Sequence, residues 1–121
     1  MPSPHSRAGE GLSRLSAAFD RCSIPEFASL HLTPEVFHPV LGKICAESDG
    51  ALTISTAGHS FEGRPIYSVS AGAGPTRVFL WSQMHGDEST ATRALGDIFS
   101  HLAMTADETA TRGILSNLTL L

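Results

Sequence analysis

With 121 residues, 41% of them hydrophobic and 17% charged, the chain has room for one small domain and a composition that excludes global disorder. Its formal charge of −4, with eight Lys and Arg scattered singly, excludes the basic face that nucleic-acid binding requires. No stretch holds the roughly 18 apolar residues of a membrane span, and the polar, Pro/Ser/Gly-rich tail Met1–Gly11 lacks a signal peptide's apolar run. The expectation is a cytoplasmic protein without nucleic-acid or membrane partners. Cys22 and Cys45 are too few for a disulfide framework and read as buried, idle thiols. Without a secretory signal, the sequon Asn117-Leu118-Thr119 reads as chance.

After the tail, Leu12, Leu15, Ala18, Phe19 and Cys22 recur at helical spacing, giving a short helix that Pro25 must stop. A second helix starts at Thr33, with Pro34 suited to its first position and Glu35 to the positive end of its dipole. Its stripe is Val36, Phe37, Val40, Leu41 and Ile44. Gly50 marks its stop, and Pro39 allows a start a residue or two later.

The period then changes to two. Leu52, Ile54 and Thr56 alternate with Thr53 and Ser55, and after a turn at Gly58–Gly63 a second strand runs from Pro65 to Ala71. Gly72-Ala73-Gly74-Pro75 is a loop; it precedes a strand rather than a helix, which disfavours a phosphate loop. Arg77–Gln83 carries four consecutive large apolar residues and reads as a strand buried on both faces of a helix-covered sheet. From Ser89 to Ala103 the positions Ala91, Ala94, Leu95, Ile98, Phe99 and Leu102 make the cleanest helix, weakened slightly by Gly96. Asp107–Arg112 is a polar connection or short helix, and Ile114–Leu121 reads as a new strand. That strand's closing leucines lack a turn or polar end, which reads as a fold interrupted partway.

The chemistry-bearing unit is the buried strand, then His85-Gly86-Asp87-Glu88, then the long helix. Sites in helix-covered sheets gather beyond the carboxyl ends of strands. His85 occupies such a place, Gly86 permits a sharp turn, and Glu88 falls in the first turn of the predicted helix. An imidazole and a carboxylate so placed can converge on one cation, and zinc accepts both. Spacing alone leaves other readings open: Asp87 and Glu88 as acids complementing a helix N-terminus, and His85 as a polar turn residue. His-x-x-Glu also occurs at His59 and Glu62, in a turn between strands, where it reads as accidental. His5, His31, His38 and His101 lack an acidic or His partner at ligand spacing and read as surface or core histidines.

Gly58-His59-Ser60-Phe61-Glu62-Gly63-Arg64-Pro65-Ile66-Tyr67 resembles the Gly-x-Ser-x-Glu-Gly-Arg-Pro-Ile hairpin of the carboxypeptidase A-type zinc peptidases. In that family a hydrophobic strand, His-x-x-Glu as two zinc ligands and an amphipathic helix follow in order. Here Arg77–Gln83, His85–Glu88 and Ser89–Ala103 stand in those places. The likeness covers residues 58–121 well and residues 30–50 loosely.

The resemblance implies an α/β fold, a partial mixed β-sheet with flanking helices. Residues 1–50 would be a tail and helical lead-in, and residues 51–121 the first half of a catalytic domain. It implies zinc as cofactor, His85 and Glu88 as ligands, and a peptide or peptide-like substrate with a free C-terminal carboxylate. The family's second zinc His, its catalytic Glu and its carboxylate-binding Arg and Asn match no position here, so the chain alone would be inactive. His101, roughly 20 Å along the helix, cannot close the site. Asp87 departs from the Arg that digestive members carry between the ligands. The same scaffold also serves zinc amidohydrolases of the succinylglutamate desuccinylase and aspartoacylase type. A non-catalytic α/β module, with His85 and Glu88 as turn and cap, remains a competing expectation.

Overall fold

The computed structural model of the chain describes residues 4–121. Those residues form a mixed α/β unit of four α-helices and a four-stranded mixed sheet. The helices are α1 (Pro4–Cys22), α2 (Pro34–Ala46), α3 (Thr90–Met104) and α4 (Thr109–Asn117). The strands are β1 (Leu52–His59), β2 (Pro65–Ala71), β3 (Thr76–Val78) and β4 (Leu118–Leu120), in spatial order β1-β2-β4-β3. The β1–β2 hairpin and the β2–β4 pair are antiparallel, whereas β3 and β4, joined through α3 and α4, are parallel.

The alternation read in β1 and β2 places Leu52, Val69 and Ala71 on one face, where Leu41, Cys45, Leu102 and Leu120 join them in the core. Helices α2 and α3 supply the cover, and α1 packs on α3. The helical lead-in and the sheet therefore share one core. A buried Ser48 joins them: its hydroxyl donates to the Cys45 carbonyl at 2.7 Å and accepts the Leu52 N–H at 3.0 Å. A short 3-10 turn at Pro25–Ala28 then pushes Phe27 inward, where it is 2% exposed and stacks on Phe37 at 5.3 Å.

Gly96 belongs to this contact. A Cβ there would sit 2.2 Å from Phe27 Cε2, so what costs helix propensity in the sequence is the gap that admits the ring. The Gly72–Pro75 loop uses its glycines likewise. Gly74 lies so close to the α4–β4 junction that a Cβ would meet the Asn117 carbonyl carbon at 2.0 Å, while its N–H donates to the Leu118 carbonyl at 3.1 Å.

Four expectations need correction. Helix α1 begins at Pro4, so most of the expected tail is helical; its residues 1–3 lie outside the described residues. Pro4 falls at a helix start, where its missing N–H costs nothing. Residues Ile114–Asn117 end α4 instead of opening a strand, which leaves β4 only three residues. The expected strand Arg77–Gln83 shrinks to Thr76–Val78, with one further rung from the Leu80 N–H to the Leu121 carbonyl at 2.8 Å. That segment is also not buried on both faces: Phe79, Leu80 and Trp81 are 67%, 37% and 62% exposed. The reason is position, since β3 is an edge strand and the core helices cover only the Val78 side of the sheet.

Gly96→Ala tests the packing of Phe27. The gain in helix propensity is about 1 kcal/mol, and overpacking costs about 1–3 kcal/mol. The expected outcome is a lower urea midpoint than wild type; a higher one would mean that the Phe27 ring yields without cost.

Candidate functional site

The turn after β3 reverses the chain between the sheet and α3. Gln83 takes a left-handed φ of 59° and Gly86 one of 86°, and the Gly86 N–H closes the turn on the Gln83 carbonyl at 2.9 Å. Glycine adopts this conformation freely, whereas for Gln it costs about 1–2 kcal/mol. Side chains offset that cost. The Ser82 hydroxyl donates to Thr92 Oγ1 at 2.7 Å, Thr92 donates to Gln83 Oε1 at 2.7 Å, and Gln83 Nε2 donates to the Gly86 carbonyl at 2.8 Å. Thr92 is buried in the first turn of α3, so the relay ties the reversal to the helix it precedes.

On this turn the structure brings His85 and Glu88 together, with Nδ1 and Oε2 3.3 Å apart. Both side chains are largely exposed, at 67% and 73%. Glu88 does not stand in the first helical turn as expected. Helix α3 starts at Thr90 with Ser89 as its N-cap, because the Ser89 hydroxyl donates to the Leu30 carbonyl at 2.8 Å and the helix begins only after that anchor. Asp87 is exposed beside the pair.

Next to the turn lies a cleft of about 450 Å³, lined in part by His38, Arg64, Tyr67, Gln83 and Gly86. His38 packs edge-on against Tyr67 with ring centroids 4.7 Å apart. Arg64 pairs with Glu62 and lies 3.9 Å from Glu35. The Glu35 carboxyl is held below its ordinary range, first by a backbone N–H and then by the Thr33 hydroxyl. Arg64 and Tyr67 are cleft residues that spacing does not single out as a site, although both stand in the hairpin motif quoted above.

His59 ends β1, and Glu62 in the turn pairs with Arg64, so the His59–Glu62 copy of His-x-x-Glu is not assembled. His101, expected to lack an acidic or His partner, has Nδ1 3.6 Å from Cys22 Sγ, across the α1–α3 contact. The side chain of His5 lies outside the described residues. Among the described residues no cluster of three or more His, Cys, Asp or Glu side chains is poised around a common point. No helix among them is long and apolar enough to cross a membrane.

Compared with protein-family models, with curated proteins and with solved structures, the chain matches none.

Both cysteines are free and buried, and burial pushes both thiols above the ordinary value of 9.0. A thiol with a raised native pKa holds its proton more tightly in the folded state. The stability linked to it is full below the unfolded pKa and falls as pH rises through the native one. Urea midpoints should accordingly drop as pH is raised above about 9, and a Cys22→Ala/Cys45→Ala double variant should flatten that drop.

Thr92→Val keeps the volume of the side chain and breaks the relay. It leaves Gln83 Oε1 without its donor and should cost about 1–3 kcal/mol, measured by urea unfolding.

Proposed function

We propose that the chain presents half of a hydrolytic zinc centre, with His85 and Glu88 as two of its protein ligands, in the manner of the carboxypeptidase A-type peptidases. The 3.3 Å approach of His85 Nδ1 to Glu88 Oε2 supports this most directly. It is the convergence two ligands of one ion require, although the two atoms would have to move from hydrogen bonding each other to binding a cation. The donor types suit zinc, which takes imidazole nitrogen and carboxylate oxygen at about 2.0–2.2 Å. The set is incomplete: hydrolytic sites of this kind use about three protein ligands and keep one position open.

When bound, zinc supplies a Lewis acid and lowers the pKa of its water. This chain's own residues would do the rest of the local work. Gln83 and Gly86 fix the turn that aims the two ligands outward. The adjacent cleft offers Arg64 as a fixed cation for a substrate carboxylate and the Tyr67 ring as an apolar wall. The substrate class that this combination favours is a peptide or peptide-like molecule ending in a free carboxylate. Glu35 and Glu62 already neutralise part of the Arg64 charge, so the carboxylate would have to displace them.

Two ligands bind weakly, so the test must localise the metal as well as weigh it. Paramagnetic Co²⁺, titrated into the full chain, should broaden the His85 ring protons well before those of His31, His38, His59 and His101. Glu88→Ala should shift that titration to at least about tenfold higher Co²⁺. Uniform broadening of His85 and these four other histidines, or an unchanged Glu88→Ala titration, would remove the ligand assignment.

A further inference from the structure

Cys22 closes α1 and His101 stands in the last turn of α3, and the contact between the two helices sets Cys22 Sγ 3.6 Å from His101 Nδ1. Neither residue is part of the His85–Glu88 turn. The pair borders a cavity of about 500 Å³ between the helices, a size typical of small-molecule pockets. Leu15 and Phe19 of α1 and Ala94 and Ile98 of α3 give it apolar walls. Among the described residues its charged lining comes from Arg93 and Asp97, one of each sign, and an Asp97 oxygen already accepts the Ile24 N–H at 3.0 Å. A neutral, apolar molecule suits such a space.

The two partners have the roles of a nucleophile and its base. Cys22 is 3% exposed, and burial is the main reason that its thiol stays protonated; Arg21 opposes this, and Glu108 and Asp97 reinforce it. Its place at the negative end of α1 disfavours the thiolate as well. At His101 the same kind of helix end acts the other way, since it stabilises the positive charge that an imidazole gains on taking a proton. With its own proton on Nε2, His101 accepts the thiol proton at Nδ1. The thiolate therefore forms as the proton crosses to His101, beside whatever molecule the cavity holds.

We propose that Cys22, with His101 as its base, covalently captures an apolar α,β-unsaturated ketone that enters this cavity. The thiol adds across the carbon–carbon double bond. Sγ bonds the β-carbon, the π pair moves toward the carbonyl to give an enolate, and the thiol proton passes to His101 Nδ1. His101 then returns that proton to the α-carbon, so the ring ends neutral and no oxidant or reductant takes part. Addition suits a buried thiol better than substitution, because no leaving group has to be expelled past the cavity walls. The apolar lining supplies the selection, through the transfer of the ketone's alkyl tail out of water.

The test treats the full chain with hexyl vinyl ketone or methyl vinyl ketone, with glutathione present as a solvent-exposed reference thiol, and reads adducts by peptide mass spectrometry. Cys45, buried in the core and outside the cavity lining, is the internal control. Cys22 should react at least about tenfold faster than Cys45. Relative to glutathione, the hexyl reagent should be favoured over the methyl one at least about tenfold. His101→Gln should slow the reaction at Cys22 at least about tenfold. The wild-type rate should stay nearly flat from about pH 8 to about pH 9, where a thiolate acting alone would gain nearly tenfold. Ile98→Glu, at an exposed position on the wall, should remove the hexyl preference. Equal rates at the two cysteines, or an unchanged rate in His101→Gln, overturns the proposal. So does a missing hexyl preference, or one that survives Ile98→Glu. A wild-type rate that climbs about tenfold over that pH interval overturns it too, and this measurement needs no variant to fold.

Discussion

The relay from Ser82 through Thr92 to Gln83 and on to the Gly86 carbonyl is the constraint on which the site depends. A strand leaving the sheet and a helix returning over it need a reversal within a few residues, and here one of its two left-handed positions is not glycine. An isolated turn of this kind would sample many conformations. Buried Thr92 anchors it to α3, and the Ser89 hydroxyl anchors the helix start to Leu30. Two elements distant in sequence therefore determine where His85 and Glu88 point.

The same logic of anchoring runs through the helices. Helix α1 exposes Leu12, Leu15 and Phe19, yet buries Cys22 against α3 beside His101. The Phe27–Gly96 contact then fixes the segment between α1 and α2 against the middle of α3. Because α3 carries Thr92 in its first turn and Gly96 one turn later, packing of the lead-in and positioning of the turn act on one rigid body. Loss of either contact would loosen the other through that helix.

Periodicity made most of the elements legible. Helix α3 and strand β2 fall within a residue of the positions their spacing predicts, since each buries one regular face against a neighbour. The failures share a cause. Phe79–Trp81 reads as a strand covered on both sides because apolar content reports preference for burial, not whether a neighbour is there to provide it. Ile114–Asn117 reads as strand although α4 claims it, because a short apolar run cannot distinguish the two states. At the site, the His85–Glu88 convergence was legible from the Gly86 turn and the spacing. The Thr92 relay was not, because a hydroxyl inside the following helix has no local signature of the turn it reaches back to.

The His85–Glu88 pair contributes little to holding this fold together. Exposed ion pairs are worth about 0–1 kcal/mol, and both partners here are about two-thirds exposed or more. The turn beneath them carries a left-handed Gln83 whose cost, about 1–2 kcal/mol, equals or exceeds what the pair returns. A sequence selected for stability alone would place glycine at that position, as it does at Gly50, Gly63 and Gly72. Gln83 instead uses both polar atoms of its amide to lock the reversal. Rigidity at the base of an exposed imidazole and carboxylate serves ligand positioning, where a displacement of a fraction of an ångström matters, far better than it serves stability. The helix start itself is left without a side-chain cap, since the Ser89 hydroxyl turns toward the Leu30 carbonyl instead.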